Sequence, residues 1–261
     1  MTDVVQYNKL AWDKKVAEKN RWTQPVSHKE IEDARKGDFN IYLTPKKPVP
    51  SGWFPPLPGT DTLCLASGGG QQAPILAAAG MKVTSFDNSP CQLQQDMLVA
   101  EREDVQITTI EGDMADLSIF PDECFDFIFN PASTCFIPSV IPVWKECFRV
   151  LRKGGTLISG LINPVEFSFD IALYDQDIFT LKYALPYSDL TSISAEERIR
   201  FFGPDEALAF SHTLEDLIGG QLAAGFHLIG LFEDYRDDGA IKDFMPSFIA
   251  TRALKPLAPA F

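Results

Sequence analysis

Histidine is scarce in this 261-residue chain, and a run long enough to cross a membrane is missing. The three histidines, His28, His212 and His227, are scattered, with no HxxxH pair and no Cys/His spacing suited to a metal. No stretch reaches about 18 consecutive apolar residues, and the start "MTDVVQYNKLAWDKK" lacks the basic-then-apolar order of a signal peptide. The five cysteines, Cys64, Cys91, Cys124, Cys135 and Cys147, form no CxxC pair and are odd in number. They read as reduced thiols, and the expected location is the cytoplasm. Basic excess is missing too. The net charge of −13 argues against a phosphate-binding surface, so neither nucleic acid nor membrane is an expected partner. Residues 1–50 hold ten Lys/Arg against seven Asp/Glu, which leaves −16 on the remainder. Two readings of that imbalance stand: an N-terminal segment lying on an acidic body, or a solvated helix face.

A hydrophobic share of 45% is enough for a full globular core. Residues 1–38 are polar and helix-prone. "TPKKPVPSGWFPPLPG" (44–59) then carries six prolines, which forbid a long helix. Residues 1–60 thus read as a helical arm with a Pro-rich linker, leading to a main domain over 61–261. There, strand and helix signals alternate. Thr62–Leu65 is a strand, and Gln71–Ala79 a helix that Pro74 fits only in its first turn and Gly80 ends. Lys82–Phe86, Val105–Ile110, "FDFIFN" (125–130) and "TLISG" (156–160) are further strands. "SPCQ" (89–92) opens one helix with Ser89 as cap, and 142–155 forms another that stops at Gly154. Short buried strands alternating with helices imply a doubly wound, mostly parallel α/β sheet. Residues 163–205 interrupt the pattern with eight aromatics and read as an insertion over the sheet, a cover for an acceptor site. A helix and two strands follow, over 211–234 and 247–253. Trp53 and Trp144 read as core, as does His227.

The stretch "LCLASGGGQQAPILAAAG" (63–80) places Gly68, Gly69 and Gly70 between the first strand and its helix, where ligands meet an open α/β sheet. Asp87 ends the second strand, and a carboxylate there can accept hydrogen bonds from both ribose hydroxyls. Together these features point to a nucleoside-containing cofactor. Two classes fit. "GGGQQA" satisfies GxGxxA through Gly68, Gly70 and Ala73, so an NAD(P)-dependent oxidoreductase is the competing reading. Against it, Gln71 and Gln72 crowd the position where a pyrophosphate would lie. "EGDM" (111–114) offers an Asp for an adenine amino group, and no second catalytic domain follows.

These motifs, in order over roughly 61–253, resemble the class I S-adenosylmethionine-dependent methyltransferases: "LCLASGGG", "VTSFDNS", "IEGDM", "FDFIFN" and "RVLRKGGTL". The nearest likeness is to bacterial small-molecule enzymes with an N-terminal helical arm over the cofactor. The resemblance implies a seven-stranded sheet, its last strand antiparallel, and S-adenosyl-L-methionine as cofactor. Its implied contacts are Ala66, Ser67, Gly68, Gly69, Gly70, Gln72, Asp87, Asn88, Asp113, Met114 and Asn130. Gly68 and Gly70 would pass the methionine part, Asp87 the ribose, Asp113 and the Met114 amide the adenine, and Asn130 the amino-acid end. Two positions depart from the family. Cys64 stands where an acidic residue is usual, and Ala66 where the first loop glycine is. Gln72 or the Asn130 carbonyl would have to take over the ammonium.

A sulfonium methyl is already activated, so positioning suffices and no nucleophile–His–acid set is needed. The best candidate for a general base is His212 in "FSHTLED", before a helix capped by Thr213. The other reading is a helix-end histidine bonded to backbone. "NPAS" (130–133) lacks the second proline and the aromatic of base-methylating loops. Tyr7, Trp12 and Trp22 could close over the cofactor as a lid. The expected activity is methyl transfer to a small molecule; a non-catalytic cofactor-binding module is the remaining alternative. The sequence leaves the oligomeric state open.

Overall fold

The computed structural model describes residues 2–258. Seven strands form one sheet: β1 (Asp61–Leu65), β2 (Lys82–Asp87), β3 (Ile107–Glu111), β4 (Phe125–Asn130), β5 (Leu151–Ile162), β6 (His227–Asp234) and β7 (Phe248–Leu254). Their order is β3-β2-β1-β4-β5-β7-β6. The first five strands run parallel, while β7 is antiparallel to both of its neighbours. The chain order reverses between β1 and β4, which makes the carboxyl end of that pair the crevice of the sheet.

Helices α1 (Val4–Ala17) and α2 (His28–Arg35) form the arm. Among the described residues the body adds α3 (Gln72–Ala78), α4 (Pro90–Glu103), α5 (Ile141–Val150), α6 (Ile171–Tyr174), α7 (Ala195–Phe202) and α8 (Gly220–Ala224). Both faces of the sheet are covered. Leu63, Leu65 and Ile128 point into one apolar cluster, and Cys64, Phe127 and Phe129 into the other, as the two-residue strand period requires. Trp144 is fully buried, with Nε1 donating to the Asp216 carbonyl at 2.9 Å.

Local signals hold where side chain and backbone meet directly. Ser89 caps α4, its hydroxyl accepting from Gln92 N at 3.1 Å, and Pro90 follows as the first helical residue. Two expectations are corrected. The helix over 142–155 ends at Val150, because Leu151 pairs with Phe125 and begins β5. Gly154 then lies within β5, in the bulge between the Leu151 and Thr156 pairings, with its amide donating to the Lys255 carbonyl. His227 is exposed rather than core, since β6 is the outer strand and its alternate residues face solvent. No residue of 163–205 reaches the wall of the central cavity described below. The insertion's aromatics instead pack on one another: Phe169 with Tyr174 and Phe179, Tyr187 with Phe167 and Tyr183.

Candidate functional site

The loop after β1 is clamped from the side of β2 and α4. Gly68 N donates to Asp87 Oδ2 at 3.0 Å, Gly69 N to the Gln92 carbonyl at 3.0 Å, and Gly70 N to Asp96 Oδ1 at 2.7 Å. Side chains would not fit that contact. A Cβ at Gly68 would lie 2.7 Å from Gln92 Cβ, and Gly70 takes φ +74° with Pro25 and the Gln95 carbonyl 3.0 Å from its missing Cβ. Ala66, at the position of the first loop glycine, adopts φ +48°, a left-handed backbone that costs a non-glycine residue energy.

Above this loop lies a cavity of about 930 Å³. Ala66, Ser67, Gly68 and Gln72 form its wall from the loop, Asp87 and Asn88 from the tip of β2, and Asp113 and Met114 from the segment after β3. Gly69, Gly70 and Asn130 stand behind that wall. The Asn130 side chain is fully buried and laces three strands together. Its Nδ2 donates to the Leu65 carbonyl at 3.0 Å and to Ser133 Oγ at 2.9 Å, and its Oδ1 accepts from Ser159 Oγ at 2.9 Å. Its side chain therefore shapes the loop from behind the cavity wall.

His212 is likewise set back, in the backbone-bonded place that its second reading describes. It is buried, and its Nε2 lies 2.9 Å from the Thr134 carbonyl. Burial lowers its pKa and keeps the ring neutral. It braces the segment behind Cys135, Phe136 and Ile137, which do line the cavity. Thr213 takes the cap position, its hydroxyl accepting from Asp216 N at 3.0 Å.

The arm closes the cavity from above. Trp12 stands on Phe136 edge to face at 5.2 Å, and the Arg21 guanidinium lies 4.2 Å over the Trp22 ring. Trp12 and Trp22 line the space, whereas Tyr7 turns away and donates to the Pro204 carbonyl at 2.6 Å. The basic arm meets the acidic body through Lys9–Glu111, Lys14–Asp205 and Lys15–Glu206. Arg21 and Asp237 form a two-pronged pair at 2.8 and 3.3 Å across the mouth. The first of the two charge readings thus describes this face.

The electrostatics single out two carboxyls. Burial pushes Asp87 up to about 6, against bonds from the Ser89 and Gly68 amides, and pushes Asp96 up to about 7. Asp96 escaped the sequence reading. Its signal was helical spacing, because Gln92, Leu93, Asp96, Val99 and Glu103 form the buried stripe of α4. Also missed were linker residues Tyr42–Pro45 and the loop Arg236–Asp238, which line the cavity. The Ser67 hydroxyl and Gln92 Oε1 are buried without a hydrogen-bond partner, so two polar atoms beside the loop await a ligand.

A reversed α/β sheet with a clamped glycine bend and strand-tip carboxyls at its crevice belongs to an enzyme that binds a nucleoside cofactor. Comparison with known proteins narrows the class. Residues 63–159 match the family model described as a methyltransferase domain. The chain is 47% identical over 255 residues to the uncharacterized methyltransferase YbaJ of Bacillus subtilis, covering 98% of this chain and 100% of that one. It is 32% identical over 89 residues to sterol 24-C-methyltransferase erg6 of Aspergillus fumigatus, covering 33% and 23%. In fold it is similar to an S-adenosylmethionine-dependent methyltransferase from Mesorhizobium loti, with a TM-score of 0.60 at 16% identity over 78% and 94% of the two chains. The chain belongs to the class I S-adenosylmethionine-dependent methyltransferases. The site suits that cofactor: buried carboxyls that have no cationic partner among the described residues, and orphaned polar atoms beside the loop, match a ligand of net positive charge with polar ends.

Proposed function

We propose that this enzyme methylates a small organic acceptor, held in the same cavity as the cofactor. One observation carries the reading: the cavity is continuous from the glycine loop to Arg236–Asp238 and Phe248. At about 930 Å³ it lies near the top of the ~300–1,000 Å³ range of single-ligand sites, which leaves room for a second small molecule. The sterol relative acts on a small molecule, which supports the reading. So does the acidic body, which disfavours a nucleic-acid partner.

In this reading Asp87 accepts from the ribose hydroxyls, with Asn88 beside it, and Asp113 and the Met114 amide meet the adenine. Ser67, Gly68 and Gln72 face the methionine part, while Gly69, Gly70 and Asn130 hold the loop in shape. S-adenosylmethionine supplies a methyl group already activated by its sulfonium. The chain's own task is then to align the acceptor and exclude water, an effect worth about 7–11 kcal/mol where alignment is complete. Trp12, Trp22 and the Arg21–Asp237 pair roof the site, and Pro131–Ser133 at the tip of β4 form the wall nearest the loop. The Cys135 thiol, pushed up to about 12 by burial, lines the cavity as a neutral group and serves as no base. His212 acts at one remove, by bracing the wall through Thr134.

The test is incubation of the purified enzyme with methyl-labelled cofactor and a deproteinised small-metabolite extract. Label in a new compound of the ultrafiltrate is the expected result. No label in the ultrafiltrate, with label transferred in a parallel incubation with protein or nucleic acid, would remove the small-molecule reading.

A further inference from the structure

Asp96 is a buried carboxyl beneath the cofactor loop that the reading above leaves without a task. It is fully buried on α4, with Oδ1 accepting from Gly70 N at 2.7 Å and Oδ2 lying 2.6 Å from Ser85 Oγ. Ser85 pairs with Cys64 in the β1–β2 register, so Asp96 sits next to the thiol that occupies the family's usual acidic position. Among the described residues no Lys, Arg or His forms an ion pair with it. A buried carboxyl in that condition is costly to keep, and it becomes useful where a positive charge arrives from outside.

We propose that Asp96 is a positioning residue of the cofactor loop, which fixes the Gly70 amide from below and supplies from α4 the buried negative charge that this chain lacks at Cys64. The inference rests on the reading that the loop holds the cofactor. Among the described residues no cation acts on Asp96: Lys82 of β2 lies toward Asp61 and Arg102 of α4 bonds Glu103. Asp87 stands at the end of β2, and Asp13 of α1 bonds Ser89 Oγ at 2.6 Å and the Cys91 amide at 3.3 Å. Cys64 faces Asp96 from β1; α3 carries no titratable residue, and the one on β3, Glu111, is paired with Lys9. A carboxyl held near neutrality by burial is partly protonated in the free enzyme. A cationic ligand favours its ionised form, so the proton passes from Asp96 to the buffer as the sulfonium binds.

The experiment is titration calorimetry of the full chain with S-adenosylmethionine and S-adenosylhomocysteine, whose sulfur is uncharged. Each is measured near neutral pH in two buffers of different ionisation enthalpy. Asp96→Asn keeps both hydrogen bonds, with Oδ1 accepting from Gly70 and Nδ2 donating to Ser85. It should hold S-adenosylhomocysteine within about twofold, yet bind S-adenosylmethionine at least about fivefold more weakly, because only the second ligand carries the extra charge. The proton release specific to S-adenosylmethionine should fall with it. Cys64→Asp/Asp96→Ala should recover affinity relative to Asp96→Ala, because the carboxylate returns to the same spot from β1. An unchanged ligand ratio and proton release in Asp96→Asn would overturn the proposal. So would a folded Asp96→Ala with wild-type affinity. Asp87→Ala, run alongside, tests the loop reading separately: full affinity there removes the reading, whereas a loss there beside an inert Asp96→Asn removes only this proposal.

Discussion

Asp87 binds two amides of its own fold before any ligand arrives, Gly68 N through Oδ2 and Ser89 N through Oδ1, each at 3.0 Å. Its remaining lone pairs face the cavity, so one side chain both clamps the loop and can take the ribose. Asp87→Ala should therefore weaken cofactor binding by about 1.5–3 kcal/mol, the usual loss when bonds to a charged group go; calorimetry showing unchanged affinity would refute the assignment. The same burial has a consequence for stability. Asp87 and Asp96 hold their protons more tightly in the folded chain than the ordinary carboxyl value of 3.8 allows, at about 6 and about 7. The unfolded chain ionises first as pH rises. Ligand-free stability should accordingly fall from near pH 4 through pH 7 and then level off. Asp96→Asn, neutral throughout, should flatten the upper part of that fall. Thermal unfolding of both proteins across this range checks it, and parallel curves would contradict the burial account.

At the scale of elements, α1 is unusual in how it is held. Only Asn8 and Ala11 are buried on it, so apolar packing cannot be its main attachment. Asn8 fills the role instead: Nδ2 donates to the Phe136 and Leu208 carbonyls at 2.8 and 3.1 Å, and Oδ1 accepts from Leu208 N at 2.7 Å. The surrounding Lys–carboxylate pairs are partly to largely exposed, and pairs so near solvent contribute only about 0–1 kcal/mol each. Asn8→Ala leaves three buried backbone groups unpaired, a cost of about 1–3 kcal/mol for each group left unsatisfied. The expected outcome is an arm that detaches before the body unfolds. Limited proteolysis should then cut residues 18–27 several-fold faster, with the far-ultraviolet signal of the sheet intact. A cleavage rate equal to wild type would place the attachment elsewhere.

Such an attachment is invisible in sequence, and the same holds for other parts of the site. Strands such as β1 and β4 were legible because they are short apolar runs flanked by turn residues, and Asp87 because it ends a strand beside a glycine loop. Asp96 was not, because a lone carboxylate on a helix reads as solvent-facing until the partners of its face are known. His212 was left between two readings for the related reason that a residue preceding a helix has no periodicity to orient it. The β5 start was lost because "RKGG" serves equally as a basic last turn and as a bend, and only pairing of Leu151 with Phe125 decides between them.

The whole molecule depends on one crossing, where the Pro-rich linker passes over the sheet. The linker is fastened by Asp234. Burial works to raise that carboxyl, but the Lys47 and Lys46 amides, at 2.9 and 2.8 Å, and the Thr44 hydroxyl hold it below the usual value. At the crossing the Leu43 carbonyl accepts from Ala132 N at 3.2 Å and lies against Gly160 of β5. A Cβ on Gly160 would come within 2.0 Å of that carbonyl and 3.0 Å of Ala132 N, both backbone atoms that cannot swing aside. Tyr42–Pro45 wall the cavity on one side and Pro131–Ser133 on another, so this contact joins the arm's route to the wall of the site. Gly160→Ala should then cost at least about 1–3 kcal/mol in urea unfolding, as overpacked cores do. It should also widen the cavity mouth, slowing transfer more than it weakens cofactor binding, because the cofactor is held mainly from the loop side. Equal losses in both would mean that linker and loop move as one body, and a variant as stable as wild type would show that the crossing carries no strain-sensitive contact.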